Sequence, residues 1–269
     1  MTEYTAPLQD MQFLLKDLMN LEQVSTLPGY EDATPDVVDA ILEEAGKFAR
    51  EVLSPLNRSG DIEGAQWSPE GVSMPSGWGD AYKKFIEGGW TSLSAPTNFG
   101  GQALPQLLSS LIEEIWNGAN MAFTLSPMLT RGAQQVLEQR GSDYCKKTFL
   151  PKMVTGEWTG TMVLTEAHAG SDLGAMRTRA VRQSDGTYRL HGQKIFITYG
   201  EHDMADNIVH LVLARIEDAP AGSKGISLFV VPKFLVNDDG SLGALNDVHC
   251  VSIEHKMGIH ASPTCVMAF

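Results

Sequence analysis

The sequence predicts an α+β protein, an all-α N-terminal domain followed by a β-barrel or sandwich middle domain. Apolar residues recur at helical spacing up to Gly156. Beyond it, short apolar runs alternate with turn signals, the signature of strands. A chain of 269 residues, 43% hydrophobic and 20% charged, is large and apolar enough for a substantial core. The expected division is an N-terminal extension helix over 1–35, a helical domain over 36–157, and a β domain over 158–269 that is incomplete.

Leu8, Met11, Leu14, Leu15, Leu18 and Leu21 form a first helical stripe. Val37, Val38, Ile41, Leu42, Ala45, Phe48, Ala49 and Val52 form a second, with Thr34 as cap, Pro35 in the first turn and Asp36 near the positive helix end. The Gly-, Pro- and Ser-rich segment 53–76 reads as a long surface loop. Further helices are expected over 77–88, 105–117, 121–139 and 142–153. Strands are expected over 158–165, 177–184, 187–191, 194–198, 207–217, 225–231, 247–256 and 264–269, with a hairpin turn at Ser184-Asp185-Gly186-Thr187. The run Pro263–Phe269 closes with no turn or polar tail, which reads as a piece of something longer.

Charge and composition exclude several classes. The formal net charge is −13, and residues 1–44 hold ten acids against the single base Lys16. That acidic stretch reads as a solvated helical face. Clustered Lys and Arg are missing, so a nucleic-acid surface is disfavoured. No window supports a membrane span, and Met1–Asp10 resembles neither a secretory signal nor a transit peptide, so a cytoplasmic location is expected. Cys145, Cys250 and Cys265 are too scattered for a disulfide framework. The string His249, Cys250, His255, His260, Cys265 lacks the tight ligand pairs of a zinc site, as does the group His202, Asp203, Asp206, His210. Metal is expected at neither. GxGxxG, GxxxxGK[ST] and GxSxG are all absent, which disfavours the usual dinucleotide, P-loop and hydrolase sites.

Two segments of the β region carry chemistry. In Met162–Gly174 a strand runs into a loop of small residues, where backbone can approach a ligand closely. Met162 and Leu164 share a strand face, and Thr165 sits at the strand end, where peptide groups and a hydroxyl could read the edge of a planar heterocycle. In Gly192–Gly200, Phe196 and Thr198 share a face, an aromatic and a hydroxyl suited to a ring system. Composition and spacing alone favour core strand plus turn for both segments and name no ligand.

Thr165-Glu166 with Ala169-Gly170-Ser171-Asp172, Gly192–Thr198, Ala205-Asp206, and Lys256–Ser262 with Pro263-Thr264 together resemble the acyl-CoA dehydrogenase family over residues 36–269. The family's usual proline is replaced by Ala167. The stretch Tyr4–Leu21 resembles the extra helix of a long bacterial branch of that family, which includes fatty-acyl-CoA and 3-methylmercaptopropionyl-CoA dehydrogenases.

The resemblance implies N-terminal helices, a middle β domain and a C-terminal helical bundle, the last absent from residues 1–269. It implies FAD as cofactor, with backbone groups at Met162, Leu164 and Thr165 and the Thr165 hydroxyl on the flavin's pyrimidine edge. Gly170, Phe196, Ile197 and Thr198 complete the cofactor set, with Phe196 packed on the flavin. Ser171 meets both cofactor and acyl-CoA. Glu166 and Asp172 read as turn-stabilising carboxylates. The implied reaction is α,β-dehydrogenation of an acyl-CoA thioester, with electron-transfer flavoprotein as acceptor and a homodimer or homotetramer as assembly. The family's glutamate base matches no position in residues 1–269, so no catalytic residue is assigned and the chain alone is expected to be inactive. An acyl-CoA oxidase, a DNA-associated relative and a catalytically silent relative are the alternatives. Trp90, Phe99, Met121, Phe123 and Met128 are candidates for an acyl tunnel, with helix-packing core as their preferred reading.

Overall fold

The computed structural model describes residues 4–269. The first three positions of the expected extension, Met1–Glu3, lie outside the described residues. Helices α1 (Leu8–Phe13) and α2 (Leu21–Ser25) flank a π-helical turn at Leu14–Leu18, so the first stripe is not one continuous helix. Asn20, in the left-handed region at φ 50°, ends the first part and redirects the chain. Helix α3 (Pro35–Phe48) starts as its sequence demands: the Thr34 hydroxyl accepts from the Val37 N–H, and Pro35 stands in the first turn.

The expected loop over 53–76 is instead helix α4 (Ser54–Glu63) followed by a hairpin of β1 (Gln66–Ser68) and β2 (Gly71–Ser73). Tertiary packing overrides the local signals. Pro55 stands in the first turn of α4, which continues directly from a π-helical turn at Ala49–Leu53. Gly60 is required because a Cβ there would lie 2.2 Å from the Trp78 ring. Helix α5 (Trp78–Glu87) follows. The two helices expected over 105–117 and 121–139 are joined in α6 (Gln106–Arg140), which kinks at Asn120 (φ −160°, ψ 84°). The Asn120 side chain stabilises that break, donating to the Leu53 carbonyl and accepting from the Phe123 N–H. Helix α7 (Asp143–Thr155) ends at Gly156 in a left-handed cap.

An aromatic cluster forms the core of the helical half. Phe85 stands edge-on to Trp116 at 5.0 Å between ring centroids and to Phe123 at 5.9 Å, and Trp90 to Trp116 at 5.2 Å. Trp78, Tyr82, Leu42 and Ile112 are buried with them.

The β half opens with β3 (Trp158–Val163), parallel to β7 (Asn207–Ile216). β7 also pairs with β4 (Arg179–Arg182) and antiparallel β8 (Ile226–Pro232), while β4 makes the expected hairpin with β5 (Tyr188–His191). The Asp185 carboxylate ties that turn, accepting from the N–H and hydroxyl of Thr187. The short pair β9 (Phe234–Val236) and β10 (Leu242–Leu245) carries too little apolar pattern to be read from sequence. β11 (His249–Ile253), β12 (Thr264–Ala268) and β6 (Gln193–Thr198) form a separate three-stranded sheet. Helix α6 packs on β3 through Gly160, where a Cβ would meet Ala133 and Met153 at 2.7 Å.

Candidate functional site

The two chemistry-bearing segments meet where β3 ends. The Ile195 N–H donates to the Thr165 carbonyl at 2.9 Å, and the Lys194 ammonium donates to the Leu164 carbonyl at 2.8 Å. This juxtaposition of β6 with the strand-to-loop junction places Met162, Leu164 and Thr165 beside Phe196, Ile197 and Thr198.

A bulge in β6 decides which side chains face outward. Ile197 pairs with Cys265 but Lys194 with Met267, so two residues of β6 oppose the single Val266. Strict alternation would put Lys194 on the face of Phe196 and Thr198. The bulge turns Lys194 and Ile197 inward together and leaves Phe196 57% exposed at φ 59°. A large aromatic held outward in an uncommon backbone conformation is a platform for something outside this chain's core.

Behind that surface lies a buried polar anchor. Glu166, 4% exposed, accepts from the Arg177 N–H (2.7 Å), the Thr178 N–H (3.0 Å), the Thr178 hydroxyl (2.6 Å) and Lys194 Nζ (2.9 Å). Desolvation works to raise its pKa, but these bonds from Thr178, Arg177 and Lys194 bring it down to about 2. Burial lowers the pKa of Lys194, and Glu166 partly restores it. Glu166 also closes a tight turn, exchanging backbone bonds with Ala169. The loop's far side is held by Arg215, which donates to the carbonyls of Gly174 and Met176.

The sequence expectation for Glu166 thus understates it: the carboxylate fastens the whole segment 166–178. Asp172 differs from expectation in the other direction. It is exposed, and its carboxylate accepts no hydrogen bond among the described residues, because Glu166 and Arg215 already hold the loop. Sequence reasoning missed Lys194 and Arg215; the available signal was a lysine set in the otherwise apolar run of β6.

The hydroxyls of Thr165, Ser171 and Thr198 form no hydrogen bond with any described residue. Gly170 and Ser171 are exposed at the loop tip, and a Cβ at Gly170 would meet nothing within 4 Å. Free hydroxyls around an exposed aromatic and the half-buried Met162 and Leu164 suit a flat ring system with polar edges. The donor set therefore fits a flavin.

The other candidates go elsewhere. His202 bonds Thr159 (2.9 Å) and His210 bonds Thr161 (2.7 Å), both are buried, and burial lowers the pKa of both to about 3. His249 bonds Asp247 and His260 bonds Asp61. Among the described residues no group of three His, Cys, Asp or Glu is placed to hold a metal ion. Of the tunnel candidates, Phe123 is core and Phe99 packs against the cluster around Phe149. Met121 and Met128 are exposed because their positions fall on the outer face of α6, which corrects their reading as core. Trp90 packs on the aromatic core and, with Met128, borders a partly open cavity of about 30 Å³.

Residues 36–157 match the acyl-CoA dehydrogenase N-terminal domain and residues 161–269 the acyl-CoA dehydrogenase middle domain. The chain belongs to the acyl-CoA dehydrogenase family, of which it comprises the N-terminal and middle domains. It is 48% identical over 266 residues to 3-methylmercaptopropionyl-CoA dehydrogenase of Ruegeria pomeroyi, covering 99% of this chain and 45% of that protein. Among solved structures it resembles butyryl-CoA dehydrogenase from Megasphaera elsdenii (TM-score 0.69, 26% identity, 87% of this chain and 55% of that one). It also resembles an acyl-CoA dehydrogenase complexed with FAD from Bacillus anthracis (TM-score 0.68, 25% identity, 87% and 35%). The chain spans less than half the length of the Ruegeria relative. No described helix is long and apolar enough to cross a membrane.

Proposed function

We propose that this chain supplies the N-terminal and middle parts of an FAD-dependent acyl-CoA dehydrogenase. The observation that carries the reading is the pair of unpartnered hydroxyls of Thr165 and Thr198 near the outward Phe196, where the Ile195 N–H bonds the Thr165 carbonyl just beyond β3. FAD bound there would accept the hydride that leaves the β carbon of the acyl thioester.

The chain's own residues bind and orient. Peptide groups at Met162, Leu164 and Thr165, with the Thr165 hydroxyl, hold the pyrimidine edge. Phe196 covers a ring face and helps exclude water, while Ile197 packs inward beneath it and Thr198 addresses the opposite polar edge. Gly170 lets the backbone of the loop come close, and Ser171 contacts both the cofactor and the acyl-CoA. The carboxylate that removes the α proton lies outside residues 1–269 in this reading. The full protein passes its electrons to an electron-transfer flavoprotein and works as a homodimer or homotetramer.

The test is spectroscopic. The full-length protein carries stoichiometric FAD that bleaches with one or more members of a panel of acyl-CoAs. Thr165→Val and Thr198→Val each weaken FAD binding, by about 1 kcal/mol per lost hydrogen bond. Residues 1–269 alone neither retain FAD nor oxidise substrate. A full-length protein free of flavin, or FAD binding untouched by both substitutions, overturns the reading.

A further inference from the structure

The peptide joining Leu164 to Thr165 has its two ends in different surroundings. Its carbonyl oxygen accepts from the Lys194 ammonium at 2.8 Å, and that ammonium, 0% exposed, sits 2.9 Å from Glu166 Oε1. Its N–H, on Thr165, forms no hydrogen bond with any described residue. In a trans peptide the N–H points opposite to the C=O, so the Thr165 N–H is directed away from Lys194.

A hydrogen bond from a buried cation to a peptide oxygen is charge-assisted and draws electron density toward that oxygen. Within one amide this makes the N–H at the other end a stronger donor, because bonds in a chain polarise one another and low dielectric magnifies the effect. The charge that does this cannot leave by deprotonation at neutral pH without leaving Glu166 unpaired in the interior. Glu166 in turn sets how much positive charge the peptide feels, since its three other donors, the Arg177 N–H and the Thr178 N–H and hydroxyl, favour the carboxylate form.

We propose that Lys194 and Glu166 form an electrostatic relay that tunes the Thr165 N–H as a donor toward the flavin. Lys194 is a positioning and polarising residue, acting through the 164–165 peptide without touching the cofactor. A strengthened donor favours the form of the flavin that carries more negative charge, which is the reduced one. This inference rests on the flavin site assigned above.

The experiment is a midpoint-potential titration of the full-length, FAD-loaded protein, with flavin content measured by absorbance. Lys194→Gln keeps a donor to the Leu164 carbonyl but removes the charge. It should lower the preference for reduced over oxidised flavin about tenfold, a fall of about 30 mV for a two-electron couple. Glu166→Gln keeps an amide oxygen for the Thr178 donors but gives up the acceptor for the Arg177 N–H and the negative charge, frees more of the ammonium's field, and should raise the potential. Lys194→Arg should stay near the parent. Opposite shifts in the two Gln variants support the relay. Unchanged potentials, or shifts of the same sign, overturn it and leave a purely structural ion pair. Should Lys194→Gln fail to fold, Glu166→Gln decides: a rise supports the relay, and no change or a fall overturns it. A wild-type protein that carries no FAD is a different result, overturning the functional reading itself.

Discussion

The two halves of the molecule are held together by different chemistry. The helical half is built around rings, with Phe85, Trp116, Trp90 and Phe123 packed edge to face and no ionised group among them. The β half buries groups that titrate: His202, His210, Glu166 and Lys194 all lie inside it. The difference teaches that the buried histidines and the buried Glu166–Lys194 pair lie in the half that also carries the candidate site. Its polar interior orients outward peptides and hydroxyls, something an aromatic core cannot do.

Four measurements break or sharpen that contrast. Phe85→Ala removes the ring at the centre of the aromatic cluster and should cost about 3–5 kcal/mol in urea unfolding, with little dependence on pH. Lowering the pH from 7 to 5 should cost the parent about 4 kcal/mol, because His202 and His210 are neutral when folded and bind protons more readily when unfolded. The sign follows from their depressed folded pKa: that stability is complete above about pH 6.5 and is lost progressively toward about pH 3. Below about pH 4.5 Glu166 adds to the loss, since desolvation is outweighed by hydrogen bonds from Thr178, Arg177 and Lys194, which hold its folded pKa at about 2. Amide exchange at pH 5 should therefore loosen β3 and β7 before α5 and α6. The reverse order would erase the contrast.

Tyr199 bridges the halves, donating to the Ala122 carbonyl at 2.6 Å and accepting from the Trp78 indole at 3.3 Å. Tyr199→Phe should cost about 1–3 kcal/mol by leaving both partners unsatisfied, read as a lowered unfolding midpoint. Thr34→Ala removes a helix cap in the aromatic half and should cost about 1 kcal/mol, measured the same way at pH 7 and at pH 5.

Periodicity made the helices and most strands legible, because each carries its own apolar face. It failed where tertiary contacts outvote local signals. Helix α4 survives Pro55 and Gly60 because Trp78 needs that glycine's space. The kink of α6 depends on a bond from Asn120 to Leu53, 67 residues away. At the site, the set of Met162, Leu164, Thr165, Gly170, Ser171, Phe196, Ile197 and Thr198 rests on motif resemblance, with Ile197 buried, whereas the role of Lys194 stays hidden. Alternation assigns it to the wrong face, and only the β6 bulge turns it inward.

The sequence by itself determined the order of domains, the family and the segments that bear the chemistry, since those depend on local pattern and residue identity. The tertiary structure decided which charges are buried together and which peptide ends are left free. Glu166 meets Lys194 across 28 residues of chain, and no local rule records a contact between the loop beyond β3 and a strand of another sheet.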